Sequence, residues 1–340
     1  MSITIKKTKI AALYALSVFT LFPCNCAYGQ SGILKGTLYA ETAAAESGQV
    51  DAQIRLATFY ASGAHGSINY DKAFHWLSIA SEQGSIRATS LLANAMLYGH
   101  GTKKNVTGAI WLLRRTASLG DPDAITFLGR AYESGSGVKK DYGQAIGLYE
   151  AAISKQSGYA AALLGAMYYR GDGVERDVNK AISLYETSAE RGDSWGQLRL
   201  ADLVGIGLVA PQDQVKATQL YKASAEQGNK VAQFRLGSLY ANGVLATDDP
   251  KISTIYYHRS ALQFYAPAEA AFARALWNGT GITADHVRAY VWMYLAKEGH
   301  NPTAGAQMVD WAKLLDSEEL DRVNKFIENK KMFFSAYRGL

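Results

Sequence analysis

The sequence predicts an all-α protein built as an α/α solenoid, a row of helix pairs stacked side by side. Three observations predict it. One spacing, 36 residues, organises the chain without a slip from residue 37 onward. In each 36-residue unit, apolar and small residues recur three and four apart in two separate segments, the spacing of helix faces. Only six prolines occur in 340 residues, so little interrupts those segments. A period of this length means units that bury their apolar stripes against each other rather than a closed globule.

The first segment of each unit opens on a small residue: Ala52, Ala88, Ala124, Ala160, Gly196, Ala232, Ala268 and Ala304. Four residues later stands a large apolar one: Leu56, Leu92, Leu128, Leu164, Leu200, Leu236, Phe272 and Met308. The next position is small again, at Ala57, Ala93, Gly129, Gly165, Ala201, Gly237 and Ala273. Two small residues on one helix face let the partner helix come close. A glycine then closes the segment at Gly63, Gly99, Gly135, Gly171, Gly207, Gly243 and Gly279, as glycines end helices.

The second segment begins at Asn69, Asn105, Asp141, Asp177, Asp213, Asp249 and Asp285. Asn and Asp suit a helix N-cap, because the side-chain oxygen accepts from a backbone N–H that has no partner inside the helix. Ala73, Ala109, Ala145, Ala181, Ala217, Ser253 and Ala289 follow at four residues, and Trp76, Leu112, Leu148, Leu184, Leu220, Tyr256 and Trp292 three beyond those. Gly84, Gly120, Gly192 and Gly228 end this helix. Ser85, Asp121, Ser157, Asp193, Asn229 and Asn301 stand ready to cap the next first helix. Tyrosines fill two of the repeat positions. Tyr60, Tyr132, Tyr168 and Tyr240 share one, and Tyr149, Tyr185, Tyr221 and Tyr257 the other, which marks these eight as packing residues.

Both ends read as caps. Residues 37–48 match the second helix of an incomplete unit, Gly48 aligning with Gly84. Ala304 to Leu315 reads as an eighth first helix. Asp316-Ser317-Glu318-Glu319 then reads as a capping box that opens a final helix running to about Lys331. The domain organisation expected is therefore a half-repeat at 30–48, seven repeats at 49–301, and a half-repeat with a capping helix at 302–340.

Residues 1–29 have the layout of a secretory signal peptide. A basic start with Lys6, Lys7 and Lys9 precedes the apolar run Ile10–Phe22, Pro23 breaks it, and Ala27-Tyr28-Gly29 offers small residues for cleavage. The run is shorter than the roughly 20 residues that span a membrane. Export to a periplasm or the medium follows, with no membrane span left after cleavage. Pro23 and Asn25 are not the small residues expected before a lipid-modified cysteine, which argues against anchoring through Cys24 or Cys26. Cleavage after Gly29 removes both cysteines. The three lysines supply three of the formal +5 charges, and the rest of the chain is close to neutral, which gives no footprint for nucleic acid.

The pattern is fullest from Leu164-Gly165 to Leu184-Tyr185, reading Leu-Gly-x-x-Tyr-x-x-Gly-x-Gly-Val-x-x-Asp-x-x-x-Ala-x-x-Leu-Tyr. In this it resembles the Sel-one-like repeat family, relatives of the tetratricopeptide repeats, over residues 37 to about 315. It departs at Gln263-Phe264-Tyr265, which replaces the usual glycine-rich turn, and at Val204, which replaces the usual tyrosine. The resemblance implies a right-handed superhelix whose first helices line a concave, partner-binding groove. Secreted bacterial members of the family serve as adaptors, envelope regulators or host-interaction factors.

Chemistry-bearing constellations are few. The histidines His65, His75, His100, His258, His286 and His300 form no metal-ligand spacing. The Gly-x-Gly turns at Gly99, Gly135 and Gly171 follow helices and lack the Lys-Ser/Thr pair of a phosphate loop. Ser136-Gly137-Val138-Lys139 has the Ser-x-x-Lys spacing of penicillin-recognising hydrolases, but neither of their companion motifs is present. Cysteine-rich relatives of the family have been linked to penicillin binding, and the paired repeat cysteines they carry are absent here. No enzyme, metal or cofactor is expected. First-helix positions that the repeat leaves unfixed hold Arg130, Arg199, Arg235 and Arg274, with Arg170 further along. These five are the candidate binding residues, for an acidic protein segment or alternatively for an acidic envelope polysaccharide.

Overall fold

The computed structural model describes residues 30–63, 68–205, 207, 213–244 and 249–337. The expected leader, with Cys24 and Cys26, lies outside the described residues, as does His65. Seventeen helices and no strand are found among those described. Helix α1 (Gln30–Glu46) precedes seven pairs. These are α2 (Val50–Ser62) with α3 (Tyr70–Glu82), α4 (Ile86–Tyr98) with α5 (Val106–Ser118), and α6 (Pro122–Ser134) with α7 (Tyr142–Ser154). There follow α8 (Gly158–Arg170) with α9 (Val178–Glu190), α10 (Ser194–Gly205) with α11 (Gln214–Glu226), α12 (Lys230–Ala241) with α13 (Pro250–Ala261), and α14 (Ala266–Asn278) with α15 (His286–Glu298). Helices α16 (Ala304–Ala312) and α17 (Ser317–Tyr337) close the array. No helix among the described residues is long and apolar enough to cross a membrane.

The helices begin where short-range chemistry tells them to. Asn69, Asn105, Asp141, Asp177, Asp213 and Asp285 each accept from the backbone N–H three residues on. Asp249 accepts from the N–H of Lys251. Ser85, Asp121, Ser157, Asp193 and Asn229 do the same for the first helices. The capping box is reciprocal: Glu319 N–H donates to Asp316 Oδ1 at 2.8 Å, and Asp316 N–H to Glu319 Oε2 at 3.2 Å. Three limits differ from the sequence expectation: α1 spans Gln30–Glu46 rather than 37–48, and two lie at the other end. Helix α16 stops at Ala312 because Leu314 N–H turns back to Trp311 O, an i→i−3 bond that tightens its last turn. Helix α17 continues to Tyr337, since no glycine or proline intervenes before Gly339.

Packing is sequential. From α1 to α16 each helix lies against the next, within a repeat and across the joint to the following repeat; α17 packs on α15, and the other closer contacts are between alternate helices. Inside a repeat, size is matched across the two helices. A Cβ on Gly129, Gly165 or Gly237 would stand 2.7–2.9 Å from the ring of Tyr149, Tyr185 or Tyr257. Where the first helix carries alanine instead, the partner is smaller in three of four repeats: Ala57 packs with Leu77, Ala93 with Leu113 and Ala273 with Met293. Tyr149 and Tyr185 are buried, and Tyr132, Tyr168 and Tyr240 are partly buried against the core, so these rings pack as their repeat positions implied.

Buried polar groups stitch the later joints. Gln263 Nε2 donates to Gln233 Oε1 and to Gly228 O, both at 2.9 Å, while Gln233 Nε2 donates to Ala225 O of the preceding repeat. Ser188, Ser224 and Ser260 hydroxyls each donate back to the opening turn of their own repeat's first helix. The departure at Gln263-Phe264-Tyr265 leaves the backbone path unchanged. Phe264 adopts φ 57°, the left-handed conformation that Gly228 holds at 90° in the preceding unit.

Candidate binding surface on the first-helix row

First helices approach their counterparts in neighbouring repeats, α4 with α6 and α8 with α10; within the seven repeats no two second helices pack to that degree, although the terminal helix α17 packs on the second helix α15. The row whose members crowd together lies on the inside of the curve. The first helices therefore form the inner surface, and side chains that bridge from one first helix to the next mark it out.

The five candidate arginines fall on these helices but differ in what they touch. Arg170 at the end of α8 reaches Glu133 of α6 at 3.2 Å and also pairs with Asp172. Arg199 of α10 and Arg235 of α12 share one carboxylate, Asp202, at 3.5 and 3.7 Å. Carboxylates thus alternate with these three arginines. Glu133 and Asp202 are themselves anchored from behind. Tyr149 donates its hydroxyl hydrogen to Glu133 at 2.6 Å, and Tyr221 donates to Asp202 at 2.7 Å. Burial and the adjacent carboxylate both raise the pKa of these two phenols, so they remain donors throughout the physiological range.

Arg130 and Arg274 have no carboxylate partner among the described residues. Arg274 is exposed on α14. Arg130 is held differently. Its guanidinium lies 5.3 Å from the Tyr98 ring of α4 and 5.8 Å from the Tyr159 ring of α8, so it bridges three successive first helices. Aromatic faces on a guanidinium leave its N–H edges free while fixing the plane. Burial raises the pKa of Tyr159, and the charge of Arg130 acts against that rise. Beyond Tyr98, the His100 ring stacks on Tyr70 at 4.2 Å with 5° between planes. Burial, then the charge of Arg130, lower the His100 pKa, so the imidazole is neutral at pH 7.

Sequence reasoning found the arginines and missed what surrounds them. Asp202 was visible in the same register as Arg130, three residues after Arg199, which is an ion-pair spacing on a helix. Tyr98 and Tyr159 left no periodic signal, because their counterparts in other units are unrelated residues. Among the other motifs, Ser136 accepts a hydrogen bond from Ser134 Oγ in the turn after α6, and Lys139 is exposed without a bond to it. The second glycine of the Gly-x-Gly turn serves packing: a Cβ on Gly101 would collide with the Tyr70 carbonyl.

The Sel1 repeat model matches residues 50–85, 86–121, 122–157, 158–193, 196–229, 230–263 and 268–301. Among solved structures, the chain is similar to a protective antigen present in uropathogenic Escherichia coli strains that displays an SLR fold. They are 30% identical with a TM-score of 0.52, over 85% of this chain and 62% of the antigen. The chain thus spans about three-fifths of the antigen's length. It is also similar to a Sel1 repeat protein from Oxalobacter formigenes, at 25% identity and a TM-score of 0.56, over 88% of this chain and 85% of that one. No curated protein matches the chain. The seven consecutive matches, the helix-pair architecture and the two structural likenesses agree: the chain belongs to the Sel1 repeat family.

Proposed function

We propose that the chain is an exported scaffold that captures an acidic segment of a partner protein on its inner, first-helix row. The observation that carries this reading is Arg130, whose guanidinium is fixed between Tyr98 and Tyr159 with no carboxylate partner among the described residues. A cation oriented in advance and left without a counter-ion suits a carboxylate from outside, which gains a paired hydrogen bond at little ordering cost. Arg274 offers a second unpaired charge on the same row. Arg170, Arg199 and Arg235 are neutralised in place and contribute register rather than net attraction. Export rests on the leader layout of residues 1–29, which points to the periplasm or the medium. A protective antigen among the similar structures is consistent with an exposed location.

The test is a crosslinking capture from the native cell envelope and medium with the naturally processed chain. Arg130→Glu is compared with Arg114→Glu, an exposed position on α5. One dominant protein, lost with Arg130→Glu and retained with Arg114→Glu, supports the reading. Equal capture by both variants overturns the assignment to the inner row. Recovery of polysaccharide alone transfers the assignment to the glycan-binding alternative, which the burial of the repeat tyrosines otherwise disfavours.

A further inference from the structure

A cavity of about 140 Å³ lies on the inner row between the first two repeats, bounded by α2, α3 and α4. Its walls include Ala57, Ala61, Leu77 and Leu91. The repeat register explains why it is there. In the third repeat, Tyr149 reaches from the second helix to Glu133 on the first and occupies the equivalent space. The corresponding residues of the first repeat are Leu77 and Ala61, both shorter. In the second repeat the counterparts are Leu113 and Leu97, and both are fully buried. Only the first repeat combines the two short side chains.

One polar atom is enclosed there. Asn94 lines the cavity, and its Oδ1 is buried without a hydrogen-bond partner, the one such side-chain atom among the described residues. An enclosed amide oxygen without a donor is costly, and in native proteins such an atom is satisfied by something. His100 forms one side of the cavity, neutral and stacked on Tyr70. The surroundings therefore supply a largely apolar volume with no charge, and Thr58 and Tyr70 add hydroxyls to its lining.

We propose that this cavity is an anchor pocket for a branched aliphatic side chain of the captured segment. The inference rests on the peptide-capture reading and names the chemistry of the captured sequence. Size decides the anchor: a cavity near 150 Å³ holds a benzene-sized group, so leucine, isoleucine or valine fits and tryptophan does not. The apolar walls exclude a charged side chain. The pocket also continues into the arginine site. Tyr98 lies 5.8 Å from His100 on one side and 5.3 Å from Arg130 on the other, between centroids or guanidinium carbon. At roughly 3.3 Å of rise per extended residue, a carboxylate about three residues from the anchored aliphatic residue reaches Arg130.

The experiment titrates the naturally processed chain with N-acetyl-leucine N-methylamide, followed by the NMR signals of the Asn94 side-chain amide and the His100 ring. N-acetylglycine N-methylamide is the control probe. Saturable shifts with the leucine probe and none with the glycine probe are expected. Ala61→Leu, which gives the first repeat the residue that Leu97 provides in the second, should weaken the leucine titration at least tenfold. Leu91→Phe, which copies Phe127 of the third repeat, gives a second filled variant should the first fail to fold. No saturation in the unsubstituted chain, an equal response to the glycine probe, or an undiminished titration in a folded filled variant overturns the pocket. Arg114→Glu, the exposed control on α5, should leave this titration unchanged. Loss of partner capture with Arg130→Glu alongside a leucine probe that never saturates removes the pocket alone. Saturation by the probe alongside capture that ignores Arg130 removes the arginine site alone.

Discussion

The ring of Tyr185 occupies the space that a side chain at position 165 would need: a methyl group on Gly165 would stand 2.9 Å from Tyr185 Cε1. The two helices of the fourth repeat are thus fitted to one another by a residue with no side chain and a residue with a large one. Gly165→Leu should overpack the pair and destabilise the chain by about 1–3 kcal/mol. Gly165→Ala combined with Tyr185→Leu copies the Ala93 and Leu113 pair of the second repeat and should be milder than Gly165→Ala alone. Urea denaturation of the single and double variants measures the coupling. Strict additivity would show that the fit is not shared between the two positions.

Phe264 holds a left-handed backbone conformation, at φ 57°, while its side chain is 65% exposed. Little packing would be lost with the ring, and the backbone strain at a non-glycine residue would be relieved. Phe264→Gly should raise stability by about 1 kcal/mol. An unchanged or lower melting temperature would show that the ring contributes more than the strain costs.

His258 lies between Phe272 and Trp292, and burial, followed by the charges of Arg288 and Arg259, lowers its pKa to about 4. In the unfolded chain the same group titrates near 6.5. Between those values the unfolded state binds a proton that the folded state refuses. Stability is therefore full above about pH 6.5 and declines as the pH falls toward 4, by at most about 1.4 kcal/mol per pH unit from this group. His258→Gln should flatten that part of the stability profile, measured by denaturant unfolding at successive pH values.

Asp202 serves Arg199, Arg235 and the Tyr221 hydroxyl together. Asp202→Asn keeps an acceptor for Tyr221 and removes the countercharge from two half-exposed arginines. Stability should change by less than about 1 kcal/mol, because exposed ion pairs contribute little. Capture of an acidic partner should strengthen and become more sensitive to salt. Weaker capture would mean that the partner presents a donor to Asp202 itself.

Gln263 is buried and saturates both Gln233 Oε1 and Gly228 O. Gln263→Met preserves volume but leaves those two acceptors without a donor. A loss of about 1–3 kcal/mol is expected, read from thermal or urea unfolding.

The period made local structure legible and left cross-repeat chemistry obscure. Caps depend on atoms three residues apart, so Asn69, Asp141 and the Asp316–Glu319 box could be read directly. Helix-face spacing likewise revealed that Tyr149 and Tyr185 pack. Register places a residue on its helix, but it does not say which neighbour the tip of a long side chain reaches. Arg170 pairs with Glu133 one repeat back, and Arg235 with Asp202, neither at a spacing of one period. The cavity was harder still, since it arises from Leu77 and Ala61 being short together rather than from any motif. Phe264 shows the reverse case, a sequence that departs while the backbone does not. The turn is held by neighbours, with Phe264 N–H bonded to Ala261 O and Gln263 bonded across to Gly228.

Since each helix packs only with its near neighbours along the chain, no joint carries information about how many units the molecule contains. Duplicating or deleting 36 residues at a repeat boundary would keep the same helix-on-helix register on either side of the change. Evolution can therefore alter the reach of such a molecule one link at a time, while the specificity carried by a few side chains on one link remains intact.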